Sequence, residues 1–317
     1  MFSNFRKETG IFLLLLGLCI VVAILNPRFI STTNLQNTAR LIGMYGIFSL
    51  GMGLVIMTGG IDLSVGSVFA LLGVLLSMML VDWHVSPPLA VFAIILAGMI
   101  LGSIHAFFIS RVNLQPFIVT LCGLLFYRGI ARFIANDETK GFGDAAGVES
   151  LKQIGVGNFL GVPIPFLILL VLAGLLWVAL HRSIYGRYIF ALGRNEEAVR
   201  YAGINTRRLI ASVYIVSGAL AGVASLVIAF YTNSVSPSSH GNFFELYGVA
   251  AAVLGGCSLR GGEGSVVGIL LGAALLQVLQ NLVNLLGIPS SLNFAVMGAV
   301  ILIGVTADQL LSRRHTA

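Results

Sequence analysis

Between Ile11 and Ala307 the chain returns repeatedly to runs of roughly twenty residues with almost no charged side chain, the length a helix needs to cross a hydrocarbon core of about 30 Å. That pattern leaves few folds open. In lipid every backbone N–H and C=O must be satisfied within the protein, so a spanning segment is a helix or part of a closed barrel, and runs this long are helical. Hydrophobic residues make up 57% and charged residues only 9%, against about 25% charged in ordinary soluble domains, and mean hydropathy is +0.99. A water-soluble fold could not hide so much apolar surface. The expected architecture is all-α: a single polytopic transmembrane helical bundle covering 1–317.

Hydropathy supports about ten spans, near 10–26, 38–58, 65–81, 88–110, 116–135, 163–181, 209–231, 243–258, 265–286 and 292–311. The segment 243–258 is short for a crossing; it either spans or dips in from one side as a half-helix. Arg6 and Lys7 ahead of the apolar run Ile11 to Leu25 imitate a secretory signal, but the run ends in Asn26-Pro27-Arg28-Phe29 rather than at a small-residue cleavage site, so it is expected to stay as the first span.

A net charge of +6 would suit nucleic acid or anionic lipid, so the placement of the 18 Lys and Arg residues matters more than their sum. With the N-terminus inside, the inner segments collect Arg6, Lys7, Arg111, Arg182, Arg187, Arg194, Arg200, Arg207, Arg208, Arg260, Arg313 and Arg314, while Arg28, Arg40, Arg128, Arg132, Lys140 and Lys152 fall elsewhere. The charges are topological signals: both termini are expected in the cytoplasm, and no nucleic-acid partner is implied. Cys19, Cys122 and Cys257 are isolated, without CxxC or metal-ligand spacing, and are expected to be packing residues.

Two hydrophilic segments exceed turn length and are the expected contact surfaces. The outer loop, 136–162, carries Asp137, Glu138, Lys140, Asp144, Glu149 and Lys152 among glycines and suits a flexible or irregular cap. The inner segment, 182–208, is basic and contains one short helix. Asn195 is a credible N-cap, Glu196 and Glu197 complement the dipole of the first turn, Arg200 stands four after Glu196, and Gly203 stops the helix. Ala198, Tyr201 and Ala202 share a face. So short a helix must dock on something, either the membrane surface or a soluble partner.

The stretch Gly59-Gly60-Ile61-Asp62-Leu63-Ser64 is a helix break, with glycines that free the backbone and Asp62 or Ser64 able to cap the next helix. It is either a tight hairpin or a discontinuous helix lining a pathway. A similar fragment begins at Gly255-Gly256, so the two are a parallel duplication or a chance match of glycine-rich turns. No Gly-Lys-Ser/Thr ends the run Gly255 to Gly264, so Walker-type ATP binding by this chain is excluded. Candidate pathway or helix-break residues are Gly59, Gly60, Asp62, Ser64, Glu245 and Asn281. His105 within a span is either a packed histidine or functional. Arg128 and Arg132, one turn apart, either snorkel to the outer headgroups or meet a solute. Gln277, Gln280, Asn281 and Asn284 form an amide face that suits helix–helix hydrogen bonds or a hydrophilic lining. Nothing groups into a hydrolytic set, a catalytic centre or a metal site.

In order and spacing, Gly60-Ile61-Asp62-Leu63-Ser64-Val65-Gly66-Ser67, Gln115-Pro116-Phe117-Ile118-Val119-Thr120-Leu121, Gly186-Arg187-Tyr188 with Ala191-Leu192-Gly193-Arg194-Asn195-Glu196-Glu197-Ala198, and the Gly255 to Gly264 run resemble the permease subunits of bacterial ATP-binding-cassette importers for monosaccharides, the ribose, xylose, arabinose and autoinducer-2 group. The resemblance covers nearly the whole chain. It implies a multi-pass protein of the bacterial inner membrane, working with a second permease copy or paralogue, two cytoplasmic ATPase subunits that hydrolyse ATP, and a periplasmic or extracellular sugar-binding protein. It implies no cofactor on this chain and no enzymatic activity. The helix at Asn195 would be the coupling helix, making Gly193, Arg194, Asn195, Glu196, Glu197, Ala198, Arg200 and Gly203 the ATPase contact, and the outer loop is the candidate dock for the binding protein. The family usually has Glu-Leu-Asp where Glu245-Leu246-Tyr247 stands here, so no role of that aspartate transfers. The competing class is an ion-gradient-driven secondary transporter of a small polar solute, which calls for more ion-binding residues inside the spans than this chain has.

Overall fold

The computed structural model describes residues 2–143 and 147–289, with isolated positions between 292 and 306. The expected tenth span, Asp144 of the outer loop, and Arg313 and Arg314 lie outside the described residues.

Twelve helices are present among the described residues: α1 (Phe2–Leu25), α2 (Thr32–Met57), α3 (Val65–Ser77), α4 (Pro87–Ser110), α5 (Pro116–Ile134), α6 (Val148–Val156), α7 (Ile164–Trp177), α8 (Ile184–Arg194), α9 (Glu196–Tyr201), α10 (Thr206–Thr232), α11 (Phe244–Leu254) and α12 (Val266–Leu285). π-type turns extend α3 to Asp82 and α7 to Arg182. Short strands β1 (Lys140–Gly141), β2 (Asn158–Phe159), β3 (Val162–Pro163) and β4 (Ser234–Val235) pair as β1–β4 and β2–β3, both antiparallel.

Among the described residues, eight helices are long and apolar enough to cross a membrane, and they coincide with eight of the expected spans. The segment 243–258 does not form a full spanning helix. Its helical part, α11, has 11 residues, about 16 Å at 1.5 Å per residue, half of a typical core.

α2 forms the centre, buried almost continuously from Gly43 to Met57 and surrounded by α7, α10, α11 and α12. Between apolar helices in lipid, close backbone approach replaces the hydrophobic effect as the source of cohesion. The α4–α10 contact shows this best: Gly98 and Gly102 face Gly218 and Gly222 so closely that a Cβ on Gly98 would collide with the Gly218 carbonyl, and one on Gly218 with the Gly98 carbonyl. α1 docks on α12 through Val22, Phe29 and Val278, and the Asn26 side-chain amide donates to the Leu285 carbonyl at 3.0 Å.

The basic segment between α7 and α10, with Arg260, marks one end of the bundle, called here the basic end. The cap at the opposite end, expected to be flexible or irregular, holds one short helix and two-residue strands. α6 presses Gly155 onto the backbone of Phe230 and Tyr231, Phe142 is fully buried against Phe230, and the Arg40 guanidinium donates to the Val156 carbonyl and to Asn158 Oδ1 at 3.0 and 3.1 Å. The physical reason is pairing: β4 returns from beyond α10 to bond β1, so the cap carries its own hydrogen-bond partners. At its edge the Arg132 guanidinium binds Asp137 in two hydrogen bonds, 2.6 and 3.0 Å, and holds that carboxyl below the usual carboxylate range.

Candidate functional site

The basic end carries two helices where one was expected. α8 turns back sharply at Gly186, which touches the Leu180 backbone, and buries Gly186, Ile189 and Leu192 along one stripe; that three-residue spacing is the periodicity signal that was overlooked. α9 then projects from it. The Asn195 side chain accepts from the Ala198 N–H at 2.9 Å, capping the helix as expected. At the other end Gly203, at φ +80°, lets its N–H reach the Arg200 carbonyl and the Ile204 N–H reach that of Val199, a Schellman stop. Arg200 pairs with Glu197 at 3.7 Å, rather than with Glu196. Only Val199 of α9 is buried, so Asn195, Glu196, Glu197, Ala198, Arg200, Tyr201, Ala202 and Gly203 all face out, Tyr201 at 82%. Replacing Asn195 with alanine removes the cap at a cost of about 1 kcal/mol, so hydrogen exchange over 195–203 should quicken roughly 5-fold; unchanged exchange would refute the cap.

Beneath α9 three stretches of backbone meet without side chains between them. The Gly262 N–H donates to the Met57 carbonyl, the last residue of α2, at 2.9 Å. A Cβ on Gly193 would collide with that same carbonyl and with the Gly262 nitrogen, and one on Gly261 would lie 2.6 Å from the Gly193 oxygen and 2.9 Å from the Gly59 nitrogen. The projecting helix is thereby wired directly to the break after α2 and to the turn joining α11 to α12. Cys257 is buried in that turn, in line with a packing role.

The break itself is buried. Asp62 and Ser64 are buried at 6% and 0% exposure, and both the N–H and the hydroxyl of Ser64 donate to Asp62 Oδ1, at 2.9 and 2.6 Å, so Asp62 is the cap. The Thr120 hydroxyl of α5 donates to the Ile61 carbonyl at 3.1 Å. Next to it His105 is buried, its Nε2 sharing a 2.9 Å hydrogen bond with the Tyr127 hydroxyl, and a small cavity is lined by Asp62, Ser64, His105, Gly98, Gly102 and Gly218. The two glycine fragments do not match in register: Gly59 holds the left-handed position after α2, whereas after α11 it is Gly256.

Glu245 joins this region through α3. It stands in the first turn of α11, and a Cβ on Gly66, at the start of α3, would lie 2.6 Å from its Oε2. Asp62, Ser64 and Glu245 therefore flank the same broken helix start. Asn281 does not join them; it exchanges amide hydrogen bonds with Asn34 of α2, at 2.8 and 3.2 Å. Arg128 does not snorkel: its guanidinium donates to the carbonyls of Pro237 and His240, at 3.0 and 2.8 Å. Tyr247, where the resembling family has an aspartate, packs its ring 5.2 Å from that of Tyr45 in an aromatic cluster with Phe48, Phe69 and Phe244. No cluster fit to hold a metal ion occurs among the described residues.

A bundle of apolar helices, with buried polar residues at the break between two of them and an exposed, doubly capped helix in backbone contact with that break, has the anatomy of a membrane permease. Residues 34–305 match the family described as the permease component of branched-chain amino acid transport systems. The chain is 37% identical to the ribose import permease of Bacillus subtilis strain 168, over 97% of this chain and 94% of that protein. It is 38% identical to the ribose import permease of Escherichia coli K12 over 93% and 91% of the two chains, and 31% identical to the D-allose transport system permease of the same strain over 98% and 94%. No solved structure matches. The chain belongs to this permease family and is the permease subunit of an ATP-binding-cassette sugar importer, a protein of the inner membrane. Its relatives are transport permeases, and importers of this class place ATP hydrolysis on partner subunits and sugar capture on a binding protein.

Proposed function

We propose that this chain forms half of the translocation pathway of a monosaccharide importer, paired with a second copy or a paralogue, with ten spans in one membrane domain and with its basic end and both termini in the cytoplasm. The excess of arginine in the segment 182–208 and at Arg260 supports that orientation. α9 is then the coupling helix, presenting Asn195, Glu196, Glu197, Ala198, Arg200 and Gly203 to an ATPase groove, with Gly193 and Arg194 at its root. The observation that carries this is the backbone junction of Gly193, Met57 and Gly262, because a push on α9 reaches both broken helices through contacts that have no side chain to absorb it. Gly59, Gly60, Asp62, Ser64 and Glu245 are the pathway side of that linkage. The cap around α6 is the dock for the binding protein.

The sugar is proposed to be of the kind the relatives' names carry. In proteoliposomes holding the permease with its ATPase and binding protein, labelled ribose should accumulate only with ATP inside the ATPase compartment, and unlabelled ribose should compete better than allose or fructose. Uptake driven by an ion gradient with no ATPase present would overturn the coupling.

A further inference from the structure

The stretch between α10 and α11, residues 233–243, has no regular structure beyond the two residues of β4, yet it runs deep into the bundle. Val235 lies against Gly73 of α3, where a Cβ would be 2.9 Å from Val235 Cγ2, and Gly241 lies against Gly66. The chain thus descends along α3 by about 10 Å, seven residues at 1.5 Å each. Arg128, which holds the carbonyls of Pro237 and His240, sits about 9 Å below the end of α5 at Ile134 by the same measure. From Gly241 the half-helix α11 completes the passage, its far end at Gly255 packed on Gly268 near the start of α12. One crossing is therefore made of an irregular half and a helical half.

Irregular backbone is tolerated at membrane depth only where protein buries it or where it lines water. Here Val235, Pro237 and Gly241 are buried against the bundle, but Ser238, Ser239 and Asn242 are exposed, side by side with exposed Phe243 and Leu246. Lipid is a poor solvent for that face: the loop backbone is held in turns and both hydroxyls reach Ser236 Oγ, but the two hydroxyls and the amide still present outward polar atoms that are costly to place in hydrocarbon. The segment 233–243 also contains no acidic residue, lysine or arginine, the Arg128 guanidinium is turned onto loop carbonyls, and Glu245 is buried at 9%. What remains facing out is neutral and rich in hydrogen-bonding groups, stiffened by the Ser239 hydroxyl donating to Ser236 Oγ at 3.0 Å and by successive turns from Ser236 to Phe244.

From this placement we infer that the loop 236–242 lines the aqueous path of the solute, and that Ser238, Ser239 and Asn242 offer hydroxyl and amide contacts to a neutral polyhydroxylated solute as it passes. The inference rests on the permease function proposed above and adds a site to it, with Arg128 as the positioning residue that holds the loop open against α5.

The test is cysteine accessibility in the assembled importer. In a chain whose Cys19, Cys122 and Cys257 are replaced by serine, Ser239→Cys and, separately, Asn242→Cys are treated with anionic methanethiosulfonate ethylsulfonate. Each should react at least tenfold faster than Leu175→Cys on the apolar face of α7, modification should abolish uptake of labelled ribose, and excess ribose with its binding protein should slow the reaction. Reactivity no greater than that of Leu175→Cys, or an intersubunit disulfide in place of modification, overturns the inference, since protein or lipid then covers the loop. Reaction without loss of uptake overturns it too, because the loop would then meet water away from the solute. An unmodified importer that takes up no sugar with ATP defeats the broader function instead, and the labelling rates still report on the loop.

Discussion

Leucine in place of Gly98 is expected to leave almost no monodisperse protein after extraction in mild detergent. Its side chain would have to occupy the space of the Gly218 carbonyl, and the partner surface has no flexible group to yield, because Gly218 and Gly222 present bare backbone and Tyr214, one turn on, is fully buried. Overpacking within an existing core costs about 1–3 kcal/mol; separating two helix backbones along their whole contact costs more, which a marginally stable protein does not survive. Gly218→Leu should behave alike. Gly129→Leu and Gly174→Leu are the controls, since a Cβ at either position meets nothing within 4 Å. Size-exclusion profiles of Gly98→Leu and Gly129→Leu that coincide would show that the α4–α10 contact is not what holds the bundle.

The second large effect falls on function and spares the fold. Glu196→Lys combined with Ala198→Trp changes two exposed side chains of α9 and leaves the Asn195 cap, the Gly203 stop and the buried Val199 in place. A short knob seated in a partner groove behaves as a small interface centre, where disrupting the central contacts costs about 3 kcal/mol, roughly a hundredfold in affinity. The variant should insert and purify normally yet lose its ATPase, and with it nearly all ATP-driven uptake. Uptake within twofold of the unaltered protein would remove α9 from the coupling role. The salt link of Arg200 to Glu197 carries little of this, being solvent-exposed and 3.7 Å long.

The structure adds one physical constraint to how such a signal travels. Met57, Gly193 and Gly262 meet through main chain, with the Arg194 side chain packed beside Gly262, so in the proposed coupling a displacement of α9 would act on two elements at once: the break that leads into α3 and the turn that ends α11. Those elements come together again deeper in the bundle, where Gly66 touches Gly241 and the Glu245 carboxyl.

Local chemistry was legible wherever one residue acts on its near neighbours. Eight spans followed from runs of uncharged residues; the cap at Asn195, the stop at Gly203 and the break at Gly59 followed from side chains that bond backbone two or three residues away. α8 was equally legible through Gly186, Ile189 and Leu192, and was lost among the arginines around it. What depended on partners distant in sequence was not legible. The glycines and charges of the outer segment gave no hint that β4, almost a hundred residues later, would pair with β1. Arg128 looked like a snorkelling residue because the carbonyls it binds belong to Pro237 and His240. Asn281 looked like pathway lining until Asn34, on the far side of the chain, took up its amide.

By itself the sequence determined that this chain is a helical membrane protein with a capped short helix in its basic segment, because hydropathy and capping are properties of contiguous residues; the permease class came from its resemblance to a family. Only the tertiary structure decided that the passage after α10 is half irregular and half helical, that its polar loop is left facing outward while Arg128 braces it, and that α9 is joined to both broken elements by bare backbone. Those features arise from close approach between segments far apart in the chain, and no local pattern of residue types encodes which glycine will face which.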